Sequence, residues 1–361
     1  MQPPGHHGDG KLLGIQAARG IAALLVVAYH AERALSLPQY VGRMPLDGIT
    51  GFGHAGVDFF FVLSGFIILT VHGVDLGQPG RFRRYAARRV CRIYPPYWIV
   101  TALVLMLTFA GHGWDGLPGW QHLGASLLLV PHGDPPVLGV GWTLEFEIVF
   151  YLLFGLAILS RRAAVVAVGG WVALSAAALL AGSGSPLGRA SMDSYHVLFL
   201  IGLAAAWVVQ RGTPARSGLI AVLGVAAFLA AGVTEDMGWL SRDGLLPRLA
   251  YGLASGAVVV GTVGLERQGR LRVGRVLEVL GAASYSIYLV HLVPLTLTAR
   301  VLAMAGVVGG MPGWLVMAVC CLVAVAAAVV FYLVVERPVT RAAQRIATRL
   351  IEPREQAIRL A

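Results

Sequence analysis

The sequence predicts an all-α, polytopic membrane protein in which about ten transmembrane helices form one bundle. Two observations carry that reading. Hydrophobic residues make up 57% of the 361 and charged residues only 13%, with a mean hydropathy of +0.74, where soluble domains carry roughly a quarter charged residues. The arginines also gather in every second connection between apolar segments, as the positive-inside rule requires of a chain that crosses a membrane repeatedly.

Apolar windows of about 20 residues, the length that spans a bilayer, fall near 13–35, 55–73, 91–111, 142–160, 163–181, 194–210, 217–233, 246–265, 281–305 and 312–335. The run 121–130 is too short to span and reads as interfacial or re-entrant. With the N-terminus inside, the cytosolic connections hold Arg81, Arg83, Arg84, Arg88 and Arg89, then Arg161 and Arg162, then Arg211 and Arg216. The next holds Arg267, Arg270, Arg272 and Arg275, and the C-terminal tail holds Arg337, Arg341, Arg345 and Arg349. The opposite connections are poor in arginine (Arg43, Arg189, Arg242) and hold Asp47, Asp115, Asp134, Asp193, Glu235, Asp236 and Asp243. This predicts that both termini are cytosolic, and the expected location is the inner, cytoplasmic membrane. The expected organisation is a tail over 1–11, one membrane domain over 12–338 and a basic tail over 339–361.

The net charge of +10 does not imply nucleic acid, because its arginines lie between apolar segments, where anionic lipid and anionic cofactors are the natural partners. Residues 1–11 lack an apolar h-region, so no cleaved leader is expected. Cys91, Cys320 and Cys321 make no disulfide framework or zinc pattern, and His6 and His7 have no ligand partners at useful spacing, so no metal is expected.

Chemistry is concentrated in a few segments. The first window contains Arg19 and His30, eleven residues and roughly 16 Å of helix apart, on nearly the same face. Charged and titratable groups inside a span are costly, and they mark functional sites. Next come GHAGVDFFFVLSGFII with His54, Asp58 and Ser64, RRVCRIYPPYWIV with Arg88, Arg89, Arg92, Tyr94, Tyr97 and Trp98, and GWTLEFEIVFYLLF with Glu145 and Glu147. SYSIYLVHLVP with His291 and VERP with Glu336 close the series.

In that order these motifs resemble the membrane acyltransferase-3 family, over Leu12 to Pro338, and look most like its exopolysaccharide acetylase branch. The resemblance implies a membrane O-acyltransferase that takes an acyl group, acetyl being the expected one, from cytosolic acyl-CoA to a carbohydrate or glycolipid hydroxyl. The family's Arg-x10-His falls on Arg19 and His30, its Arg-x-x-Arg on Arg89 and Arg92, and its glutamate on Glu147. Where the family commonly has Asp-Gly-Leu before its arginine, this chain has Gln16-Ala17-Ala18, which removes an acidic partner from the start of the first helix.

Acyl transfer from a thioester needs a base for the hydroxyl proton, donors for the oxyanion and cations for the phosphates of coenzyme A. His30 suits the base, and Glu147 suits a group that orients it or holds the acceptor. Arg19, Arg89 and Arg92 suit the donor. Each has a plainer alternative: a histidine bonded to a backbone carbonyl, or arginines that only set topology. Tyr97 and Trp98 are open between substrate contact and an interfacial aromatic belt, and Asp58 between a helix cap and a substrate ligand. A secondary transporter or flippase would also place Arg, His and Glu in spans, but would need inverted repeats, which the sequence does not display.

Overall fold

A computed structural model describes residues 12–131, 134–181 and 195–360; His6, His7, His132, Arg189 and Asp193 lie outside the described residues. Among these the chain is helical, with no strand. The helices are α1 (Leu13–Leu35), α2 (Gly56–His72), α3 (Phe82–His112), α4 (Trp120–Leu128), α5 (Trp142–Leu159), α6 (Arg161–Ala181) and α7 (Tyr195–Arg211). They continue as α8 (Ser217–Asp236), α9 (Leu245–Arg267), α10 (Arg275–Ala282), α11 (Ser284–Val290), α12 (Leu292–Met304), α13 (Gly313–Phe331) and α14 (Arg337–Leu360).

Every predicted window falls on a helix. Among the described residues seven of the helical segments are long and apolar enough to cross a membrane, and eight if the bent pair α11–α12 counts as one. The 17-residue α7 is apolar but short. The window 281–305, expected as one span, is broken between α11 and α12 by a 53° bend. Pro294, in the first turn of α12, has no N–H for the Val290 carbonyl, and His291 sits at the break.

Two elements extend beyond their windows. α3 begins at Phe82 rather than near 91, so the arginine cluster is on the helix itself. The expected basic tail is the helix α14, joined to α13 through a π-helical turn over Tyr332–Glu336 just before Pro338. Hydropathy windows exclude arginine, yet arginine is a good helix former.

Close helix contacts rest on small residues, as is usual where the solvent is lipid. A Cβ on Gly65 of α2 would stand 2.2 Å from the Phe199 carbonyl oxygen, and one on Gly202 of α7 2.0 Å from that of Val62. The core beside this contact is aromatic: Phe61 packs on Phe199 at 5.0 Å, and Phe199 stacks on Phe150 at 4.0 Å. A second cluster joins Ala23, Val27 and Ala31 of α1 to Leu295, Ala299, Met317 and Cys320.

Hydrogen bonds gather the connections into two ends. At the arginine-rich end, Arg161 donates to the Leu76 carbonyl, Arg267 to that of Val209 and Gln268 to that of Pro214. There Glu266 accepts from the Leu13 and Gly14 backbone N–H groups at 2.6 and 3.0 Å, so a distant carboxylate caps α1 where the chain lacks the local acid. At the opposite end, Glu32 accepts from the Leu46, Gly48 and Thr50 N–H groups and ties the loop after α1 to its last turn.

Candidate active site

The buried polar groups line two cavities, one towards the arginine-rich end, here called inner, and one towards the opposite end, here called outer, with Val57 and Tyr288 lining both. Tyr288 is fixed in this wall: its hydroxyl donates to the Val140 carbonyl at 3.0 Å and accepts from Thr143 at 2.9 Å.

The inner cavity, about 80 Å³, is lined by Arg19 of α1, Ser64 of α2, Arg89 and Arg92 of α3, and Glu147 and Tyr151 of α5. Five of the residues singled out in the sequence, Arg19, Ser64, Arg89, Arg92 and Glu147, therefore meet here. Arg19 Nε donates to Ser284 Oγ at 3.2 Å. Glu147 accepts from Ser64 at 3.2 Å and from the Tyr151 hydroxyl. Arg89 lies over the Tyr151 ring, 5.2 Å from its centroid, and its Nε is buried without a hydrogen-bond partner. Among the described residues none of these three arginines forms a salt bridge. Glu336, at the end of the π-helical turn, accepts from Ser286 and stands within electrostatic reach of Arg19 and Arg92.

The outer cavity, about 340 Å³, is lined by His30, Tyr29, Arg33, His54, Trp142 and Tyr195, with Arg242, Asp243 and Arg248. His30 is not beside Glu147, which lines the other cavity. The partners of His30 are instead His291 and a backbone carbonyl. His291, fully buried, has its Nδ1 3.0 Å from the Ile287 carbonyl oxygen and 2.8 Å from that of Tyr288. Carbonyls only accept, so His291 Nδ1 carries the hydrogen, and in the neutral ring Nε2 is an acceptor. His30 Nδ1 lies 3.3 Å from that Nε2 and 2.9 Å from the Val26 carbonyl oxygen. It must therefore carry a hydrogen too, which leaves the lone pair of His30 on Nε2. The carbonyl-bonded histidine and the base are thus compatible descriptions of one ring.

Sequence reasoning missed Glu235. Assigned to a loop, it ends α8 with a fully buried side chain that accepts from His54 at 2.8 Å and Tyr251 at 2.8 Å and pairs with Arg242 at 3.0 Å. Asp58 lies inside the bundle rather than on a cavity wall, with Arg248 Nη1 3.0–3.1 Å from both its oxygens. It holds Arg248, which lies over the Tyr195 ring at 4.2 Å and lines the outer cavity. Tyr97 and Trp98 line neither cavity; they donate to the Ser126 and Leu127 carbonyls at 2.8 Å each and seat α4 against α3.

Comparison with known proteins identifies the family. Residues 12–333 match the family model Acyl_transf_3, described as an acyltransferase domain. The chain is 32% identical over 297 residues to the exopolysaccharide production protein ExoZ of Rhizobium meliloti (strain 1021), covering 80% of this chain and 90% of that one. It is 29% identical over 316 residues to the acyltransferase MdmB of Streptomyces mycarofaciens, 78% of each chain. With the putative peptidoglycan O-acetyltransferase YrhL of Bacillus subtilis (strain 168) it shares 27% over 321 residues, 77% of this chain and 48% of that one. No solved structure matches the chain. With a match over most of its length and membrane-length helices built around a polar interior, the chain belongs to the acyltransferase-3 family.

Proposed function

We propose that the protein transfers an acetyl group from acetyl-CoA to a carbohydrate hydroxyl, with His30 as general base. The observation that carries this reading is the inner cavity: Arg19, Arg89 and Arg92 face it without a carboxylate in salt-bridge range among the described residues. Arginines inside a span are costly without an anion, and guanidinium groups suit phosphate. Exopolysaccharide and peptidoglycan in the relatives' names favour a carbohydrate acceptor. Trp142, Tyr195 and Tyr29 give the outer cavity aromatic walls, against which the apolar face of a sugar ring packs.

In this reading the arginine-rich end and both termini face the cytosol and the protein sits in the cytoplasmic membrane. The donor enters at the arginines, and its thioester reaches the wall formed by Val57 and Tyr288. The 80 Å³ inner cavity favours a short acyl group. The acceptor oxygen attacks the thioester carbon from the outer cavity while His30 Nε2 takes its proton. The carbon–sulfur bond breaks, the thiolate of CoA leaves on the arginine side, where a proton from solvent neutralises it, and His30 releases the proton it took to water on the side of the outer cavity. Arg19 and the Ser64, Tyr151 and Glu147 group line the donor's path and hold it in place. Membrane lipid surrounds the bundle at exposed apolar residues such as Leu152, Val222 and Leu322.

The test is a transfer assay in proteoliposomes with acetyl-labelled acetyl-CoA and glycan extracted from the producing cells. Release of free CoA thiol together with label in the glycan is expected. Movement of glycan without thiol release would favour a transporter instead.

A further inference from the structure

We propose that α14 is the second wall of a nucleotide-phosphate subsite, in which Gln344 and Thr348 face the arginines of α3. The proposal rests on the acetyl-CoA reading above and adds to it the place of the donor's nucleotide. Between α3 and α14 lies a cavity of about 510 Å³, within the size range of small-molecule sites. Arg84, Arg88 and Arg92 line it at four-residue intervals, so they share one face of α3, and Arg89 stands beside them. Gln344, Thr348 and Ile351 line it from one face of α14.

Three features separate this cavity from a band of topological arginines. First, arginines that only reach for lipid headgroups would point into lipid, whereas these face a packed helix. Second, Arg89 and Arg92 line both this cavity and the inner one, so the two cavities adjoin at these side chains, as a ligand that occupies both requires. Third, the buried Nε of Arg89 has no hydrogen-bond partner, and Arg88 forms no salt bridge among the described residues. An inner cavity of about 80 Å³ cannot take the bulky end of a nucleotide thioester, whereas the space behind Arg92 is several times larger. The guanidinium groups of Arg88, Arg89 and Arg92 match a ligand with several phosphates, the Gln344 amide and Thr348 hydroxyl supply neutral hydrogen bonds, and Ile351 gives the base an apolar edge. The family match ends at 333, before α14 begins at Arg337, so this wall lies outside the matched region.

The experiment compares acetyl-CoA with S-acetylpantetheine, which carries the same thioester without the nucleotide, in the wild type, Arg88→Ala and the double variant Gln344→Ala/Thr348→Ala. The ratio of kcat/KM for acetyl-CoA to that for S-acetylpantetheine should fall at least about tenfold in both variants, the scale of lost hydrogen bonds to a charged ligand. Direct binding of adenosine 3′,5′-bisphosphate to the detergent-purified protein gives a second readout and should weaken by a similar factor. An unchanged ratio, with both donors affected equally or not at all, and unchanged nucleotide binding would overturn the subsite and leave the acyl-transfer reading standing. Absence of turnover with either donor in the wild type would overturn that reading, and the subsite with it.

Discussion

His291→Asn isolates one of the two contacts that hold the hydrogen on His30 Nδ1, the other being the Val26 carbonyl. An asparagine amide can still donate to the Ile287 and Tyr288 carbonyls, as His291 Nδ1 does at 3.0 and 2.8 Å, but it is too short to place an acceptor where Nε2 meets His30 Nδ1. His291→Gln reverses the choice, since its terminal oxygen reaches the Nε2 position. In the resting enzyme the lost bond is neutral and long, 3.3 Å, and is worth about 0.5–1.5 kcal/mol. In the transition state His30 gains a proton, and the same bond becomes charge-assisted, about 1.5–3 kcal/mol. The asparagine variant should therefore lose the difference, about 1–1.5 kcal/mol or roughly fivefold to tenfold in kcat, with little change in acceptor KM, and glutamine should recover most of it. The assay is steady-state acetyl transfer by purified variants, with thermal unfolding followed alongside. Equal kcat losses for Asn and Gln, matched by equal losses of unfolding temperature, would refute His291 as a positioning residue and leave it a packing group.

Three further outcomes follow from the packing and the topology. Asp58→Asn leaves Arg248 buried without its counter-charge and should cost about 3–5 kcal/mol of stability; Asp58→Asn/Arg248→Gln should regain part of that in thermal unfolding of the purified protein. Gly65→Ala drives a methyl group into the Phe199 carbonyl and should destabilise by about 1–3 kcal/mol in the same measurement, while Gly124→Ala, with nothing within 4 Å of its added Cβ, should not. An impermeant thiol reagent on intact cells should label Arg43→Cys and Asp115→Cys but not Gln78→Cys or Arg270→Cys; the reverse pattern would put Arg89 and Arg92 outside and remove the route from cytosolic acyl-CoA.

Apolar length is a local property, so the spans were readable from the sequence, and so was the set of residues that gathers at the inner cavity. Partnership across the bundle was not. Asp58 stayed open between roles because its partner Arg248 is 190 positions away. Glu235 ends an apolar run and looks like a loop charge until His54, Tyr251 and Arg242, from three other parts of the chain, close around it. Glu147 and His30 both looked catalytic, yet no periodicity could show that the wall of Val57 and Tyr288 puts them in different cavities. α14 was hidden because its arginines disqualify it as a span, although they do not oppose helix.

The most direct test of the account is His30→Ala, assayed for acetyl transfer and, separately, for binding of acetyl-CoA. His30 lines the outer cavity, whereas Arg19, Arg89 and Arg92 line the inner one, so donor affinity should stay near the wild-type value. Transfer should fall by about 10²–10⁴-fold, the usual contribution of a general base. A variant that binds donor normally and keeps near-wild-type turnover would contradict the assignment of His30 as the base.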